Sequence, residues 1–193
     1  GTTPLPNVLN SDTGELVWDL SGAGQGFVTL DTARSKWAWG TIGTRVVNFG
    51  GGFTVAPGTT MAANLGGVAL TALDGMNSML TARKIILTAV RAQTNTGQNY
   101  YQYPSTVVAF PPPLNIQLTS KNEWGTAPSI VEGVPASVTL PFPPSNVRVW
   151  SLTTSGARVA SLTVNNSGGK AQFNVDSTFT ALQYEIEVDH AKL

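Results

Sequence analysis

The two stretches that decide the fold are Gly67–Gly75, GVALTALDG, and Lys84–Val90, KIILTAV. Each is apolar, β-branched or small over the length of one strand. Asp74 and Gly75 predict a turn after the first stretch, because Gly accepts a positive φ and Asp hydrogen-bonds nearby backbone. The second stretch is apolar at almost every position, which predicts a strand in the middle of a sheet with both faces covered.

Short alternating segments separated by turns continue along the rest of the chain, and none shows a sustained helical period. Residues 15–31 predict a hairpin around a glycine-rich turn. Turns recurring every 8–12 residues are typical of an antiparallel β-sandwich. The sequence therefore predicts an all-β fold, a sandwich of jelly-roll or immunoglobulin-like type with almost no helix.

A change of texture after the three prolines at 111–113 predicts two packed β domains. The expected division is a lead-in or linker at 1–10, a larger β-sandwich domain at 11–114, a connecting segment at 115–134 and a small immunoglobulin-like domain at 135–193. Because the last segment is too short to bury much surface alone, we expect it to pack against the larger domain.

The composition excludes several classes of function. Eleven basic and 11 acidic residues cancel, so there is no electrostatic footprint for nucleic acid or an anionic membrane. The sequence has no Cys, which excludes disulfides, thiolate metal sites and a cysteine nucleophile. No apolar run approaches the ~20 residues of a membrane-spanning helix. Charged residues are only 11%, which is common in exported β proteins. The start at Gly1 without Met indicates either a processed mature chain or a piece cut from a longer one, and we favour the piece.

Groups that could perform catalysis are sparse. Glycoside hydrolysis needs two carboxyls about 5–9.5 Å apart, and Asp12 with Glu15 or Glu185 with Glu187 offer pairs, although such pairs are more often a solvated face. A serine triad would need His190, the single histidine, close to the end of the sequence. One histidine and no EF-hand loop leave only a structural calcium open, which we do not predict. The expectation is no catalytic residue, no metal and no cofactor.

Aromatic residues supply the candidate binding site. Trp37 and Trp39 lie two apart in an extended segment, so they would point the same way about 6.5–7 Å apart. Indole faces stack on the apolar face of a pyranose. Burial of this pair remains the alternative, and Trp18, Trp124 and Trp150 fit core positions. The candidate polar partners, followed by a second aromatic platform, are Asp31, Arg34, Lys36 and Gln25, then Tyr100, Tyr101 and Tyr103.

Several stretches spread along the chain form a recognisable set. They are 13–19 (TGELVWD), 28–34 (VTLDTAR), 68–75, 85–97, 123–134 (EWGTAPSIVEGV), 147–158 and 184–186. Together they resemble the C-terminal β region of large secreted bacterial glycoside hydrolases. The resemblance covers nearly the whole chain and implies a non-catalytic region resembling a carbohydrate-binding module. Ala33 stands where that family often has Pro, and Trp37 and Trp39 lie outside its pattern, which makes them candidates for a role particular to this protein.

The resemblance and the tryptophan pair together predict an accessory region that binds a plant-type polysaccharide, either β-glucan or hemicellulose. The expected partners are the polysaccharide and a parent catalytic domain in the same chain, with no nucleic acid and no membrane, in an extracellular bacterial location. The alternative is a pair of structural domains that brace the catalytic barrel and bind no ligand. A free-standing enzyme is the third hypothesis. A solvent-exposed aromatic strip would favour binding, and buried indoles would favour bracing.

Overall fold

The computed structural model describes residues 6–21, 26–42, 45–58, 65–102, 106–108 and 118–192. Within these ranges the chain forms β-strands and four short 3-10 turns, and no α-helix. The strands are β1 (Val8–Asn10), β2 (Leu16–Asp19), β3 (Phe27–Asp31), β4 (Ser35–Thr41), β5 (Val47–Phe49), β6 (Phe53–Pro57), β7 (Leu65–Ala72), β8 (Lys84–Thr96), β9 (Tyr100–Gln102), β10 (Thr106–Val108), β11 (Leu118–Thr119), β12 (Thr126–Gly133), β13 (Ala136–Leu140), β14 (Val147–Leu152), β15 (Arg158–Leu162), β16 (Asn165–Ser167), β17 (Lys170–Val175) and β18 (Gln183–Val188). The 3-10 turns are Gly50–Gly52, Pro144–Asn146, Ser177–Phe179 and His190–Lys192.

Two antiparallel sheets account for most of these strands. The larger has 10 strands in the order β1-β2-β3-β4-β7-β8-β18-β14-β15, with β12 also paired to β8. The smaller has five in the order β16-β17-β13-β6-β5, and β10-β9-β11 form a third, short sheet. Side chains from both large sheets meet in one hydrophobic cluster. The predicted all-β sandwich is therefore confirmed.

The stretches that decide the fold form the antiparallel pair β7 and β8, in register from Gly67 opposite Val90 to Ala72 opposite Ile85. Asp74 closes the connection, because its Oδ2 accepts a hydrogen bond from the Arg83 backbone N–H at 2.5 Å. Burial alone would raise the pKa of Asp74, but this bond and others from the backbone outweigh it and lower the pKa.

The prediction for β8 is right about its place in mid-sheet but not about its burial, because only one of its two faces is fully buried. The strand lies between β7 and β18, in mid-sheet as expected. Ile85 and Leu87 are fully buried in the core, whereas Thr88 and Val90, on the opposite face, are only half-buried. The second face of β8 is therefore partly open, and this opening belongs to the candidate site.

The hairpin predicted at 15–31 is present, with β2 antiparallel to β3 from Leu16 opposite Leu30 to Asp19 opposite Phe27. Strands from the two predicted domains pair directly with one another: β13 with β6 in the smaller sheet, and β18 with β8 in the larger. Residues from 11–114 and 135–193 thus share both sheets. The connecting segment contributes β12, which pairs with the second half of β8. In the described part of the chain, no helix is long and apolar enough to cross a membrane.

Candidate functional site

The indoles of Trp37 and Trp39 face solvent on the outer side of the larger sheet. Along β4 the side chains alternate: Lys36 and Ala38 are buried, and the two tryptophans are exposed. Trp37 is 47% exposed and Trp39 46%. Because residues two apart in a strand share a face, the indoles stand about 6.5–7 Å apart along it. Of the two alternatives left open by the sequence, the structure shows the exposed one.

The neighbouring strands extend this apolar surface. In register, Trp37 lies beside Leu30 and then Leu16, and Trp39 lies beside Val28 and then Trp18. Trp18 is 43% exposed and Leu16 41%. We call this surface the tryptophan face; it consists of Leu16, Trp18, Val28, Leu30, Trp37 and Trp39. Three indoles on one solvent-exposed sheet surface are unusual, because large apolar side chains are more often buried and exposed apolar patches commonly mark binding surfaces.

Gly67 on β7 lets one indole lie close to the sheet. It is directly opposite Trp39 in register. A Cβ atom at Gly67 would overlap the Cε3 and Cζ3 atoms of Trp39, so the six-membered ring covers this glycine. Any larger residue at this position would push the ring outward. The Trp39 ring can therefore lie close to the sheet because Gly67 has no side chain.

Asp31 and Lys36 do not join the tryptophan face. Lys36 alternates with the tryptophans and points into the sandwich, where it pairs with Asp31 and donates to the Thr32 carbonyl at 2.7 Å. The Oδ2 atom of Asp31 accepts the Gly50 backbone N–H at 2.7 Å. These two charges therefore join the β3–β4 turn to the segment after β5.

The remaining predicted polar partners lie at the margin of the site or beyond the described chain. Arg34 is exposed in the β3–β4 turn, and its Nη2 atom is 3.5 Å from the Ala72 carbonyl oxygen. Gln25 and Tyr103 lie outside the described residues. The polar residues in register with the tryptophan face are instead hydroxyls and an amide. Ser35 is opposite Thr71. Trp37 is opposite Ala69, which is followed on the next two strands by Thr88 and Gln183; we call these residues the Trp37 row.

Tyr100 and Tyr101 lie apart from the tryptophans, on a ribbon made by the second half of β8, β12 and the short sheet. The Tyr101 hydroxyl donates to Glu123 Oε2 at 2.7 Å, and Lys121 Nζ stands 4.2 Å from its ring centroid. The bond to Glu123 raises the pKa of Tyr101 and lowers that of Glu123. Tyr100 donates to Thr94 Oγ1 at 3.2 Å. These phenols are thus engaged in holding the ribbon together.

The prediction that Trp18 and Trp124 belong to the core is wrong. Trp18 lies on the tryptophan face, and Trp124 is 61% exposed near the tip of the ribbon. Trp150 is half-buried, with the Arg158 guanidinium 3.7 Å from its ring centroid. The sequence carried a signal for Trp18: it lies in the hairpin strand next to the tryptophan pair, two residues from Leu16. Trp124, flanked by Glu and Gly, has no comparable strand pattern.

Two of the carboxylates considered for catalysis, Glu185 and Glu187, are held in ion pairs. Glu185 and Glu187 share one face of β18, and both pair with Arg158. The bond to Arg158 is the largest cause that lowers the pKa of Glu185, the opposite of what a general acid needs. His190 Nε2 lies 2.8 Å from the Ala82 carbonyl oxygen, and its ring packs against Phe142. No cluster of three or more metal-binding side chains occurs among residues that the structure describes.

A cavity of about 910 Å³ opens beside β8, where β12 and β18 meet along its edge. Backbone bonds from the Ala89 N–H to the Leu182 carbonyl at 2.9 Å and from the Val134 N–H to the Ala89 carbonyl at 3.4 Å fix this junction. The lining residues are Thr88, Val90, Ser129, Val131, Glu132, Gly133, Val134, Pro135, Leu152, Thr153, Thr154, Asp176, Ser177, Thr180, Ala181, Leu182, Gln183 and Tyr184. The cavity therefore combines hydroxyls, two carboxylates and apolar walls, as ligand sites commonly do.

Tyr184 at the cavity wall gives the protein a pH-dependent stability. Its hydroxyl donates to the Ala181 carbonyl at 3.1 Å, and burial, followed by the charge of Asp176, raises the pKa of Tyr184 from 10.0 to about 12. Since the pKa is higher in the folded state, this stabilisation is fully present below pH 10 and is lost as the pH rises to about 12. The free energy of unfolding, measured by urea at a series of pH values, should fall more steeply between pH 10 and about 12 for the wild type than for Tyr184→Phe. Parallel profiles would contradict the assignment.

Comparison with known protein families, curated proteins and solved structures finds no match to this chain. The class of protein is thus defined by fold and surface alone: an antiparallel β-sandwich with an exposed tryptophan face and a large cavity on the same sheet.

Proposed function

We propose that this chain is a non-catalytic accessory region of a secreted glycoside hydrolase and binds a plant-type polysaccharide, β-glucan or hemicellulose, through the tryptophan face. The observation that carries the proposal is the exposure of Trp37, Trp39 and Trp18 together on adjacent strands. Sugar rings stack their C–H faces on indoles, and large rigid aromatics contribute contact area at a low cost in conformational entropy.

The polar surroundings favour a neutral sugar. Ser35 and Thr71 stand next to the face with their hydroxyls 3.3 Å apart, and Thr88 and Gln183 continue the Trp37 row. Hydroxyls and amides both donate and accept hydrogen bonds, which matches the hydroxyls of a neutral pyranose. Of the charges close in sequence to Trp37, Asp31 and Lys36 are turned to the opposite side of the sheet, and Arg34 lies at the margin of the face with its Nη2 atom 3.5 Å from the Ala72 carbonyl oxygen.

The competing proposal is a bracing region with no ligand, in which the same face packs against the parent catalytic domain. Exposed apolar surfaces also mark protein contacts, and Leu16, Val28 and Leu30 would suit one. The two proposals differ in whether an isolated chain binds any glycan.

Native affinity electrophoresis tests the proposal with mixed-linkage β-glucan, xyloglucan, glucomannan and arabinoxylan in the gel, and with insoluble cellulose in a pull-down. Replacing both Trp37 and Trp39 with Ala should abolish retardation. Hot-spot aromatics contribute about 2 kcal/mol or more each, so each single variant should weaken binding at least tenfold. Retardation by none of these glycans would overturn the proposal in favour of bracing.

Two further variants locate the site. Gly67→Val keeps all tryptophans but displaces the Trp39 ring, so it should weaken binding as much as Trp39→Ala. Trp124→Ala removes an even more exposed indole from the ribbon and should leave the affinity unchanged. If Trp124→Ala abolished binding while the double variant retained it, the site would lie on the ribbon instead of the tryptophan face.

A further inference from the structure

The cavity beside β8 opens on the same side of the sheet as the tryptophans. Along β8, Leu87 and Ala89 point into the core. Thr88 and Val90 alternate with them, point outward and line the cavity. Trp37 and Trp39 also point outward, two strands away. The tryptophan face and the cavity wall are thus parts of one continuous surface.

Only small residues of β7 lie between the tryptophan face and the cavity wall. Trp39 is opposite Gly67, which is opposite Val90; Trp37 is opposite Ala69, which is opposite Thr88. Adjacent strands are about 4.8 Å apart, so the indoles and the cavity wall are separated by roughly 10 Å. The Trp39 ring already covers Gly67 and so reaches towards Val90. Gly67 and Ala69, the β7 residues in these two rows, have no side chain large enough to separate the indoles from the cavity wall.

The cavity offers acceptors and hydroxyls. Thr88, Thr153, Thr154 and Gln183 provide donors as well as acceptors around its lining. Glu132 and Asp176 are its charged lining residues, and no Lys or Arg belongs to that lining within the described chain. The Glu132 carboxylate is paired with Arg91 through its Oε1 atom, 2.5 Å from Arg91 Nη1, which leaves Asp176 as the lining carboxylate without an ion-pair partner in the described lining. This chemistry suits a hydroxyl-rich neutral ligand and disfavours an anionic one.

We infer that the cavity is the continuation of the glycan site: a neutral oligosaccharide stacks on Trp37 and Trp39, crosses β7 over Gly67 and Ala69, and enters the cavity with its next units. The inference rests on the proposed function and adds direction, length and charge to it. The bound oligosaccharide runs across the strands, and more than one of its sugar units contributes to the affinity. Sugars that carry a carboxylate, such as uronic acids, are excluded. The cavity volume lies within the range of about 300–1,000 Å³ that small-ligand sites occupy.

Titration calorimetry with a ladder of β-1,4-linked gluco-oligosaccharides, from disaccharide to hexasaccharide, tests this. Parallel ladders of xylo- and manno-oligosaccharides test the other neutral backbones. The affinity of the wild type should rise at least tenfold once the ligand is long enough to pass from the indoles into the cavity. Ser177→Tyr, which fills the cavity from the exposed 3-10 turn after β17, should abolish that rise.

A second cavity variant guards against misfolding of the first. Thr154 lines the cavity from an exposed turn after β14, so Thr154→Trp fills the space without changing a sheet. Val159→Tyr places a matched aromatic on exposed β15, outside the cavity lining, and should keep the full dependence on length.

The outcomes separate this inference from the proposed function. Loss of the length-dependent gain in both cavity variants, with short ligands still bound, supports the inference. Retention of the gain in both overturns it and leaves the tryptophan face as the whole site. Binding of no oligosaccharide or polysaccharide by the wild type overturns both. Oligogalacturonides that bind as tightly as neutral ligands, with the same dependence on the cavity, would overturn the exclusion of anionic sugars.

Discussion

Replacing Glu132 with alanine is expected to lower the free energy of unfolding by about 3 kcal/mol, the low end of the range for removing one partner of a buried ion pair. Arg91 on β8 has a side chain that is only 4% exposed, and its Nη1 atom lies 2.5 Å from Glu132 Oε1. Its Nε and Nη2 atoms have no other partner within the described structure. The low end applies because the Glu132 side chain itself is 40% exposed.

The same reasoning predicts a rescue. Adding Arg91→Met to Glu132→Ala removes the stranded cation, and apolar replacements of buried ion pairs are often neutral or stabilising, so most of the lost stability should return. Lys84→Ala is the control. Lys84 is an exposed residue 3.5 Å from Glu185, and losing it should cost at most about 1 kcal/mol. Denaturant unfolding of all four proteins gives the comparison; a Glu132→Ala loss no larger than that of Lys84→Ala would contradict it.

This ion pair shows why part of the structure could not be predicted from the sequence. Arg91 and Glu132 meet because β12 pairs with the second half of β8. The apolar run at Lys84–Val90 predicts the first half of that strand and nothing about its continuation. Strand pairing between distant segments leaves no local pattern. For the same reason the pairing of β13 with β6 was not predicted, whereas the hairpin at 15–31 was, since a glycine-rich turn joins its two strands.

The candidate site was predictable in one respect and not in another. Period-two alternation predicts that Trp37 and Trp39 share a face, but it does not say which face is buried. Hydropathy alone would turn the indoles inward and Lys36 outward. The protein does the reverse, because Asp31 and the Thr32 carbonyl bind the Lys36 ammonium within the sandwich. The role of Gly67 depends on its cross-strand register with Trp39, which no local pattern contains.

Truncating Phe53 to alanine is expected to destabilise the protein by about 3–5 kcal/mol, the usual loss for a fully buried Phe. Phe53 on β6 packs edge-on against Phe142, with ring centroids 6.0 Å apart. β6 pairs with β13, and the other neighbour of β13 is β17. The void left by Phe53 therefore weakens contacts of strands drawn from both predicted domains.

Phe173→Ala on β17 is the matched variant from the C-terminal part of the chain, and it too removes a fully buried ring. In differential scanning calorimetry we expect one transition, which each variant lowers by roughly 10 °C. The physical reason is that β17, β13 and β6 lie side by side in one sheet, so neither part can unfold without exposing the edge and the core face of the other. The contrary result would be two transitions, one shifted only by Phe53→Ala and the other only by Phe173→Ala. That result would support the division at 115–134 that the sequence predicts.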